Sequence, residues 1–292
     1  MKIFTDERCT GYAARNHPER PARISRTLEV LRQPHDLTLE WGAPDPVDDA
    51  VLRRGHTAEH IAAVRAAAGD FDADTPAHPG IGDHALRAVG GALAAMRHAR
   101  RGGPAFSLLR PPGHHATPDR AMGFCYFNSI ALAVLTGQAE GAKRVAVYDF
   151  DVHHGNGTED ILLDRANTAF FSIHQSPCYP GTGMAHRGKN CFNHPVKPQL
   201  PREAYRQVLA KAIADLRAFQ PDLIGVSAGF DAYARDPLAQ MTLLPEDYHW
   251  LGESLAALKI PMFSVLEGGY SDDLPQLVLA YLRGVAGRPA TP

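Results

Sequence analysis

Short apolar runs alternate with stretches of helical periodicity along most of the chain. The apolar runs are rich in β-branched and aromatic residues, which favours strands, and they cover residues 2–5, 37–41, 105–108, 144–148, 168–173, 223–227 and 262–265. The helical stretches between them cover residues 20–31, 58–68, 83–101, 127–136, 158–163, 202–219, 245–258 and 274–282. This alternation predicts an α/β fold with a mainly parallel sheet flanked by helices on both faces.

The segments between these elements indicate a single domain over residues 1–292. Three Pro/Gly-rich stretches, at 76–82, 110–113 and 177–183, are typical of loops, and no repeat or long linker separates one part of the chain from another. The N-terminus lacks the pattern of a signal peptide, and no apolar run approaches the roughly 18 residues of a membrane span. We therefore expect a soluble, cytoplasmic protein.

Composition excludes several classes of function. The formal net charge of −2 and the absence of a basic stripe argue against nucleic-acid and membrane partners. The 4 cysteines are far apart with no CxxC pair, which argues against a disulfide framework or a structural zinc knot. The 15 histidines cluster in a few segments.

Four chemically dense segments each follow a predicted strand. They read RPPGHHATPDRAMGFCYFN after strand 105–108, DFDVHHGNG after 144–148, AGFDAYARDPL after 223–227, and LEGGY after 262–265. Ligand sites of parallel sheets lie at the carboxyl ends of the strands. The sequence thus predicts that all four segments converge on one pocket.

Two of these segments carry a candidate metal site. Asp151 and His153 alternate in extended backbone, so they share a face, and Asp231 is the natural third ligand from another strand end. Two carboxylates and one imidazole with an open position fit a catalytic divalent ion: Zn²⁺ first, with Fe²⁺ or Co²⁺ as alternatives. Gly155 and Tyr233 occupy the positions where a second ion would need bridging carboxylates, so we expect one ion. For Asp151 and His153 alone, a local hydrogen bond in a loop is the competing interpretation.

His114 and His115 are candidate acid–base groups, because imidazole titrates near neutral pH. A surface turn is the alternative for a lone histidine pair. Beside a metal, each would need an orienting partner, and Asp149 and Asn156 are available for that. His154 is expected to pack or to form hydrogen bonds locally.

Seven motifs of the chain resemble the signature set of the zinc-dependent histone deacetylase family, which is part of the arginase/deacetylase superfamily. They are HPERPARI near the start, RPPGHHA, MGFCYFN, DFDVHHGNGTE, PGTG, GFDAYARDPLAQMTL and LEGGY. The resemblance extends from residue 2 to about residue 283. The HHGNG motif is closer to the class II and bacterial amidohydrolase branch, since class I proteins usually carry Asp at the Asn156 position.

The resemblance implies a three-layer arginase/deacetylase fold and a role for each matched residue. Asp151, His153 and Asp231 would bind zinc. The catalytic group would be His114 paired with Asp149, His115 paired with Asn156, and Tyr270, whose hydroxyl would bind the substrate carbonyl. Substrate-binding positions would be Asp74 at the rim, Gly123, Phe124, Tyr179, Leu238, Gly268 and Gly269. A structural K⁺ would occupy a monovalent-cation site formed by Asp149, Asp151, His153, Ser172 and Ile173.

The implied activity is hydrolysis of an acetyl or other short acyl group from the Nε of lysine in proteins or peptides. Deacetylation of small acetylated amines such as acetylpolyamines is the alternative, although Leu238 is apolar where polyamine-specific relatives carry a Glu. Tyr179 stands where the family usually has Phe, which predicts a more polar channel. An arginase-type dinuclear site lacks its bridging Asp residues here, and a non-catalytic acyl-lysine binding module would be expected to have lost Tyr270 or one histidine of the pair.

Overall fold

A parallel sheet of eight strands forms the centre of the computed structural model, which describes residues 1–33 and 35–290. In spatial order the strands run β2-β1-β3-β8-β7-β4-β5-β6, and each neighbouring pair is parallel. Their bounds are β1 Lys2–Phe4, β2 Glu40–Gly42, β3 Ala105–Ser107, β4 Val145–Asp149, β5 Thr168–Gln175, β6 Cys191–Val196, β7 Leu223–Ala228 and β8 Met262–Leu266.

Helices cover both faces of this sheet. Within the described residues they are α1 Ala22–Arg32, α2 Asp49–Leu52, α3 Ala58–Ala66, α4 Ile81–Arg100, α5 Ser129–Ala139, α6 Asn156–Leu162, α7 Arg202–Phe219, α8 Pro245–Ala256 and α9 Leu274–Val285, with a 3₁₀ helix at Glu7–Thr10. Helices α1, α7, α8 and α9 contribute to one apolar core, and α2 to α6 contribute mainly to the other. The molecule therefore has the three layers that the alternation of elements predicts.

Strand β4 shows why the central strands read as continuous apolar runs. Val145 and Val147 belong to the core on one face, and Ala146 and Tyr148 to the core on the other. Successive side chains of a strand point to opposite faces, so a strand covered on both sides needs apolar residues throughout. The next residue, Asp149, carries the first ionisable carboxylate of the strand and lies at its carboxyl end.

Each of the seven predicted strands and eight predicted helices overlaps an observed element, most of them with shifted ends. Helix α5 begins at Ser129 because Asn128 caps it, its Oδ1 accepting the N–H of Ala131 at 3.0 Å. Strand β6 escaped prediction because it contains Asn193, His194 and Pro195. It tolerates a proline because it lies at the edge of the sheet.

Strands β3, β8, β7 and β4 are neighbours in the sheet. These are the four strands that precede the four chemically dense segments, so the carboxyl ends of the strands bring those segments together, as predicted. All 4 cysteines are free thiols. Among the helices of the described residues, none has the length and hydropathy needed to cross a bilayer. The predicted domain end at residue 292 lies outside the described residues.

Candidate metal centre and active site

Asp151, His153 and Asp231 meet where β4 and β7 end. Their candidate ligand atoms lie within 4.8 Å of one another, and all three residues are buried. His153 Nδ1 is 3.1 Å from an oxygen of Asp151 and 3.1 Å from an oxygen of Asp231. In residues 1–33 and 35–290 this is the only group of three or more such side chains found close enough to share an ion.

Backbone amides from neighbouring strand ends orient the two carboxylates. Asp151 accepts the N–H of His153 at 2.9 Å and the N–H of Gly268 at 2.7 Å, while Asp231 accepts the N–H of Val152 at 2.9 Å. A Cβ atom added to Gly268 would lie 2.0 Å from Asp231 Oδ2. Glycine at 268 therefore lets the end of β8 pack directly against both carboxylates.

These residues fit a divalent cation. Two carboxylates that are 0% exposed face one imidazole, and within the described part of the chain neither forms a salt bridge to Lys or Arg. Burial of negative charge without a compensating cation is costly. Two oxygen donors and one nitrogen donor suit Zn²⁺, Fe²⁺ or Co²⁺ at a site with an open position.

The histidine pair lies beside this cluster, and each imidazole has the partner expected from the sequence. His114 Nδ1 is 3.1 Å from Asp149 Oδ2, and His115 Nδ1 is 2.8 Å from Asn156 Oδ1. Both partner oxygens only accept hydrogen bonds, so each Nδ1 carries a proton and donates it. In neutral His115 the lone pair is then on Nε2.

The two imidazoles have opposite electrostatic environments. Burial opposes the charged form of His114, but the carboxylates of Asp151 and Asp149 outweigh burial and raise its pKa to about 10. Burial lowers the pKa of His115 well below its usual range, and the charges of His114 and His153 lower it further. The ring centroids of the pair are 4.0 Å apart. Of the two, His115 is the residue that the fold favours in the neutral form.

A cavity of about 450 Å³ opens onto these groups. Of the residues predicted from the sequence, it is lined by Asp74, His115, Gly123, Phe124, His153, Tyr179, Leu238 and Tyr270; His17, Pro18 and Cys178 complete it. Phe124 meets Tyr270 edge-on at 5.8 Å between ring centroids, and Tyr179 meets His115 edge-on at 5.1 Å. Burial raises the pKa of Tyr270 well above its usual value, so its phenol keeps the proton it would donate.

Other predicted residues lie behind the cavity. Gly268 packs on the carboxylates and Gly269 has a left-handed φ of 115°, but neither lines the cavity. Ser172 is opposite Asp149 in the register of β5 and β4, and its hydroxyl bonds His174 Nδ1 at 2.9 Å. Ile173 follows it, fully buried in β5.

One observation bears on the expected cation site. The hydroxyl of Tyr205 is buried without a hydrogen-bond partner in the described residues. Its pKa is raised by burial and, after that, by the carboxylates of Asp231, Asp151 and Asp149. A buried hydroxyl oxygen without a partner, close enough to these carboxylates for their charge to raise its pKa, is compatible with a cation nearby. The monovalent-cation site stays a prediction.

His154 has a local role, as expected. Its Nδ1 is 2.7 Å from Thr182 Oγ1, its Nε2 is 3.0 Å from Asn193 Oδ1, and its ring packs on His174 at 4.6 Å. Both ring nitrogens are therefore occupied by neighbouring side chains.

Asp236 is a residue of this site to which the sequence assigned no role. Its carboxylate accepts the N–H of Tyr270 at 2.7 Å, of Ser271 at 3.2 Å and of Leu238 at 2.9 Å. It thereby holds together two segments that line the cavity. Asp236 lies in the recognised motif GFDAYARDPLAQMTL, but an Asp before Pro is by itself an ordinary turn residue.

Glu267 and Arg23 also escaped assignment, although both lie in motifs that were recognised. Glu267 accepts the N–H of Gly113 at 2.7 Å and the N–H of His114 at 3.1 Å. Arg23 donates to the carbonyl oxygens of Gly269, at 2.8 Å, and Glu267. A charged residue directly after a buried strand was the signal that could have identified Glu267.

The carboxylates and imidazoles gathered at the carboxyl ends of the strands place a candidate metal site where parallel α/β sheets bind their ligands. The chain belongs to the histone deacetylase family, since residues 17–285 match the model of the histone deacetylase domain. The fold is that of the deacetylases in the arginase/deacetylase superfamily, as the sequence resemblance implied.

Three known proteins show the relationship. The chain is 37% identical to the histone deacetylase-like amidohydrolase of Pseudomonas aeruginosa, over 94% of this chain and 78% of that protein. The crystal structure of the HD domain of HDA15 is similar with a TM-score of 0.90 and 31% identity, over 99% of this chain and 90% of that one. The acetylpolyamine aminohydrolase from Burkholderia pseudomallei is similar with a TM-score of 0.89 and 26% identity, over 97% of this chain and 98% of that one.

Proposed function

We propose that the chain is a zinc-dependent deacylase that hydrolyses the amide between an acetyl, or another short acyl, group and the Nε of lysine in proteins or peptides. The main support for this function is that one cavity is lined by His153 of the candidate metal cluster, by the His115 imidazole and by the Tyr270 phenol. A Lewis acid site, a base and a hydrogen-bond donor are together sufficient to catalyse the hydrolysis of an amide.

The residues of the chain divide the chemistry as follows. When bound by Asp151, His153 and Asp231, a zinc ion would supply Lewis-acid polarisation of the substrate carbonyl and lower the pKa of a water molecule. Tyr270 donates its phenolic hydrogen to the carbonyl oxygen and stabilises the negative charge that develops there. Asn156 fixes Nδ1–H of His115, so that Nε2 accepts a proton from the attacking water. The same Nε2 then returns that proton to the departing amine.

A structural K⁺ is part of the proposal. It would be bound at the ends of β4 and β5 by Asp149, Asp151, His153, Ser172 and Ile173. These two strands are hydrogen-bonded neighbours, and Asp149 is in register with Ser172. A cation there would offset part of the negative charge that the buried aspartates carry.

A small acetylated amine is a second candidate substrate. The exposed carboxylate of Asp74 lines this cavity, and the lining residues His17, Pro18, Asp74, His115, Gly123, Phe124, His153, Cys178, Tyr179, Leu238 and Tyr270 include neither Lys nor Arg. A carboxylate at this position suits a substrate that carries a protonated free amine beside the neutral acylated one. A solved structure similar to this chain is an acetylpolyamine aminohydrolase, and a lysine-rich peptide would satisfy the same carboxylate.

The test is release of free amine by the zinc-loaded protein from an acetyl-lysine peptide and from acetylputrescine, measured side by side. A higher kcat/KM for the peptide supports the lysine deacylase, and a higher value for acetylputrescine supports the small-amine hydrolase. If the protein hydrolyses neither substrate, the proposed function is wrong.

The metal arm of the test uses Asp151→Ala. Because Asp151 supplies one of three candidate ligands, we expect loss of both bound zinc, measured by elemental analysis, and amine release. Asp160→Ala, which alters a carboxylate paired with Arg187 outside the cavity, is the matched control and should keep both. Activity and zinc content retained in Asp151→Ala would show that the ligand assignment is wrong.

A further inference from the structure

Phe124 lines the cavity in an unfavourable backbone conformation. Its φ is 69°, and Gly123 before it has a φ of 56°, so two consecutive residues are left-handed. Glycine adopts this region freely, whereas a residue with a side chain is destabilised there by about 1–2 kcal/mol. The surrounding structure must therefore hold Phe124 in place.

The hydroxyl of Thr75 provides a direct hold. Thr75 is 0% exposed, and its Oγ1 accepts the N–H of Phe124 at 3.1 Å. Close by, the hydroxyl of Tyr126 donates to the carbonyl oxygen of Pro76 at 2.5 Å. Two consecutive residues of one loop, Thr75 and Pro76, thus bind two residues of the segment that forms the cavity wall.

The segment 70–76, here called the brace loop, is itself fixed. Its own backbone closes through the N–H of Phe71, which donates to the carbonyl oxygen of Thr75 at 2.9 Å. The imidazole of His17 is 3.1 Å from the carbonyl oxygen of Asp74 and packs edge-on against the ring of Phe124 at 4.6 Å. The brace loop and His17 therefore hold the backbone and the ring of Phe124 from one side.

The opposite side of this wall faces the reacting groups. The ring of Phe124 meets Tyr270 at 5.8 Å, and a Cβ atom added to Gly123 would lie 2.5 Å from His115 and 2.9 Å from Tyr179. Gly123 consequently has no room for a side chain beside His115 and Tyr179, and the ring of Phe124 lines the cavity next to Tyr270. A small displacement of this turn would change the width of the cavity beside Tyr270.

We propose that Thr75 is a positioning residue for substrate specificity: its hydroxyl fixes Phe124 in the left-handed conformation and so sets the width of the cavity that receives the acylated amine. This inference rests on the proposed function and extends it to a buried residue outside the cavity lining. Loss of the hydroxyl leaves the N–H of Phe124 without its acceptor. The turn is then closed only by the two backbone hydrogen bonds between Met122 and Cys125, and the wall is held less tightly. Substrate binding weakens because the wall no longer contacts the substrate stem, while the proton-transfer groups stay in place.

The test compares Thr75→Val, which keeps the branched shape and removes the hydroxyl, with Thr75→Ser, which keeps the hydroxyl. With whichever acylated amine the wild type hydrolyses better, Thr75→Val should raise KM by about tenfold, with kcat within about twofold. The reason is that substrate binding would then have to restore the position of the wall, at a cost comparable to one hydrogen bond. Zinc content should not change, and Thr75→Ser should restore a KM close to that of the wild type. If Thr75→Val does not fold, Thr75→Ala gives the same comparison.

Hydrogen–deuterium exchange of residues 120–127 in the zinc-loaded protein supplies a readout that does not depend on activity. The amide of Phe124 should exchange faster in Thr75→Val than in the wild type and Thr75→Ser. If the wild type is active but Thr75→Val has an unchanged KM, or the Phe124 amide exchanges at the wild-type rate in Thr75→Val, the role of Thr75 is wrong and the proposed function still stands. Inactivity of the wild type toward both substrates would overturn the proposed function and this inference with it.

Discussion

Three carboxylates near the cavity each accept N–H groups from the backbone of another strand end. Asp151 accepts from Gly268 after β8, Asp231 accepts from Val152 after β4, and Asp236 accepts from Tyr270 after β8. Charge-assisted bonds of this kind are stronger than neutral ones. At the scale of single residues, these aspartates therefore join the ends of β4, β7 and β8 into one rigid site.

Tyr270→Phe tests the role of the phenol. Since a preorganised donor to the developing oxyanion contributes mainly in the transition state, we expect kcat to fall by about 10²–10³-fold. Zinc content and the unfolding midpoint should stay near the wild-type values. Tyr281→Phe removes a hydroxyl that bonds Ser264 outside the cavity, and it is the matched control that should retain kcat. An unchanged kcat in Tyr270→Phe would remove the phenol from the mechanism.

The start of α3 supports the loop that carries the histidine pair. His56 Nδ1 donates to the carbonyl oxygen of Thr117 at 2.9 Å, and its Nε2 accepts the N–H of Asn128 at 2.9 Å. His60 Nε2 donates to the carbonyl oxygen of Tyr126 at 2.8 Å. A neutral imidazole at 56 thus connects the two ends of the segment that contains the cavity wall.

This arrangement predicts a dependence of stability on pH. Burial, with a smaller contribution from His60, lowers the pKa of His56 to about 3, whereas an unfolded histidine titrates near 6.5. The unfolded chain therefore binds the proton first, so the stability from neutral His56 is complete above pH 6.5 and is lost as the pH falls toward 3. For one such group the free energy of unfolding falls by about 1.4 kcal/mol per pH unit within this window.

The measurement is urea unfolding at several pH values between 7.5 and 4.5, with chelator present so that metal release does not contribute. His56→Gln should show a shallower decrease than the wild type, even though it is less stable at pH 7.5. His249→Gln, at an imidazole that bonds the carbonyl oxygen of Arg288 near the C-terminus, should keep the wild-type slope. Equal slopes for His56→Gln and the wild type would contradict the prediction.

Most of the elements could be predicted, and their partners could not. Helix α7 was located at its observed bounds, Arg202–Phe219, because its apolar positions repeat with the period of a helix. Strand β2 was expected at 37–41 but forms at Glu40–Gly42, where it pairs with β1. Periodicity locates an element, whereas its ends depend on pairing with residues that are distant in the sequence.

At the scale of the whole molecule, a buried charge cluster links the N-terminal segment to the site. Arg110 is 0% exposed, binds both oxygens of Glu19 at 2.5 and 2.6 Å, and lies 3.9 Å over the ring of Tyr12. Glu19 also pairs with Arg23, which donates to the carbonyl oxygen of Gly269. The segment before α1 is thereby coupled to the strand ends that form the cavity.

Glu19→Gln tests this coupling. The substitution keeps the shape but leaves the buried guanidinium of Arg110 without its counter-charge, so we expect the free energy of unfolding to fall by about 3–5 kcal/mol. Glu7→Gln breaks the exposed pair with Arg32 and serves as the control, with a much smaller loss. Chemical unfolding of the wild type and both variants measures these losses of unfolding free energy. Losses of similar size in Glu19→Gln and Glu7→Gln would show that the buried Glu19 pair contributes no more to stability than the exposed one.

The sequence by itself determined the order of the elements and the identity of the chemically active side chains. Asp151, His153 and Asp231 could be proposed as a ligand set because they follow strands whose apolar pattern is plain. Asp149 and Asn156 could be proposed as partners of the histidine pair because one short segment supplies both, and the family resemblance assigned each to its histidine. Patterns that are local in the chain carry this information directly.

Only the tertiary structure decided how those side chains are held. Thr75, Asp236 and Glu267 act by accepting backbone N–H groups, and every residue except proline offers such a group, so sequence identity gives no sign of the pairing. The same is true of Gly268, whose need for a hydrogen as its side chain follows from the carboxylates packed against it. The physical reason is that these contacts join segments far apart in the chain, and only the order of strands in the sheet brings them together.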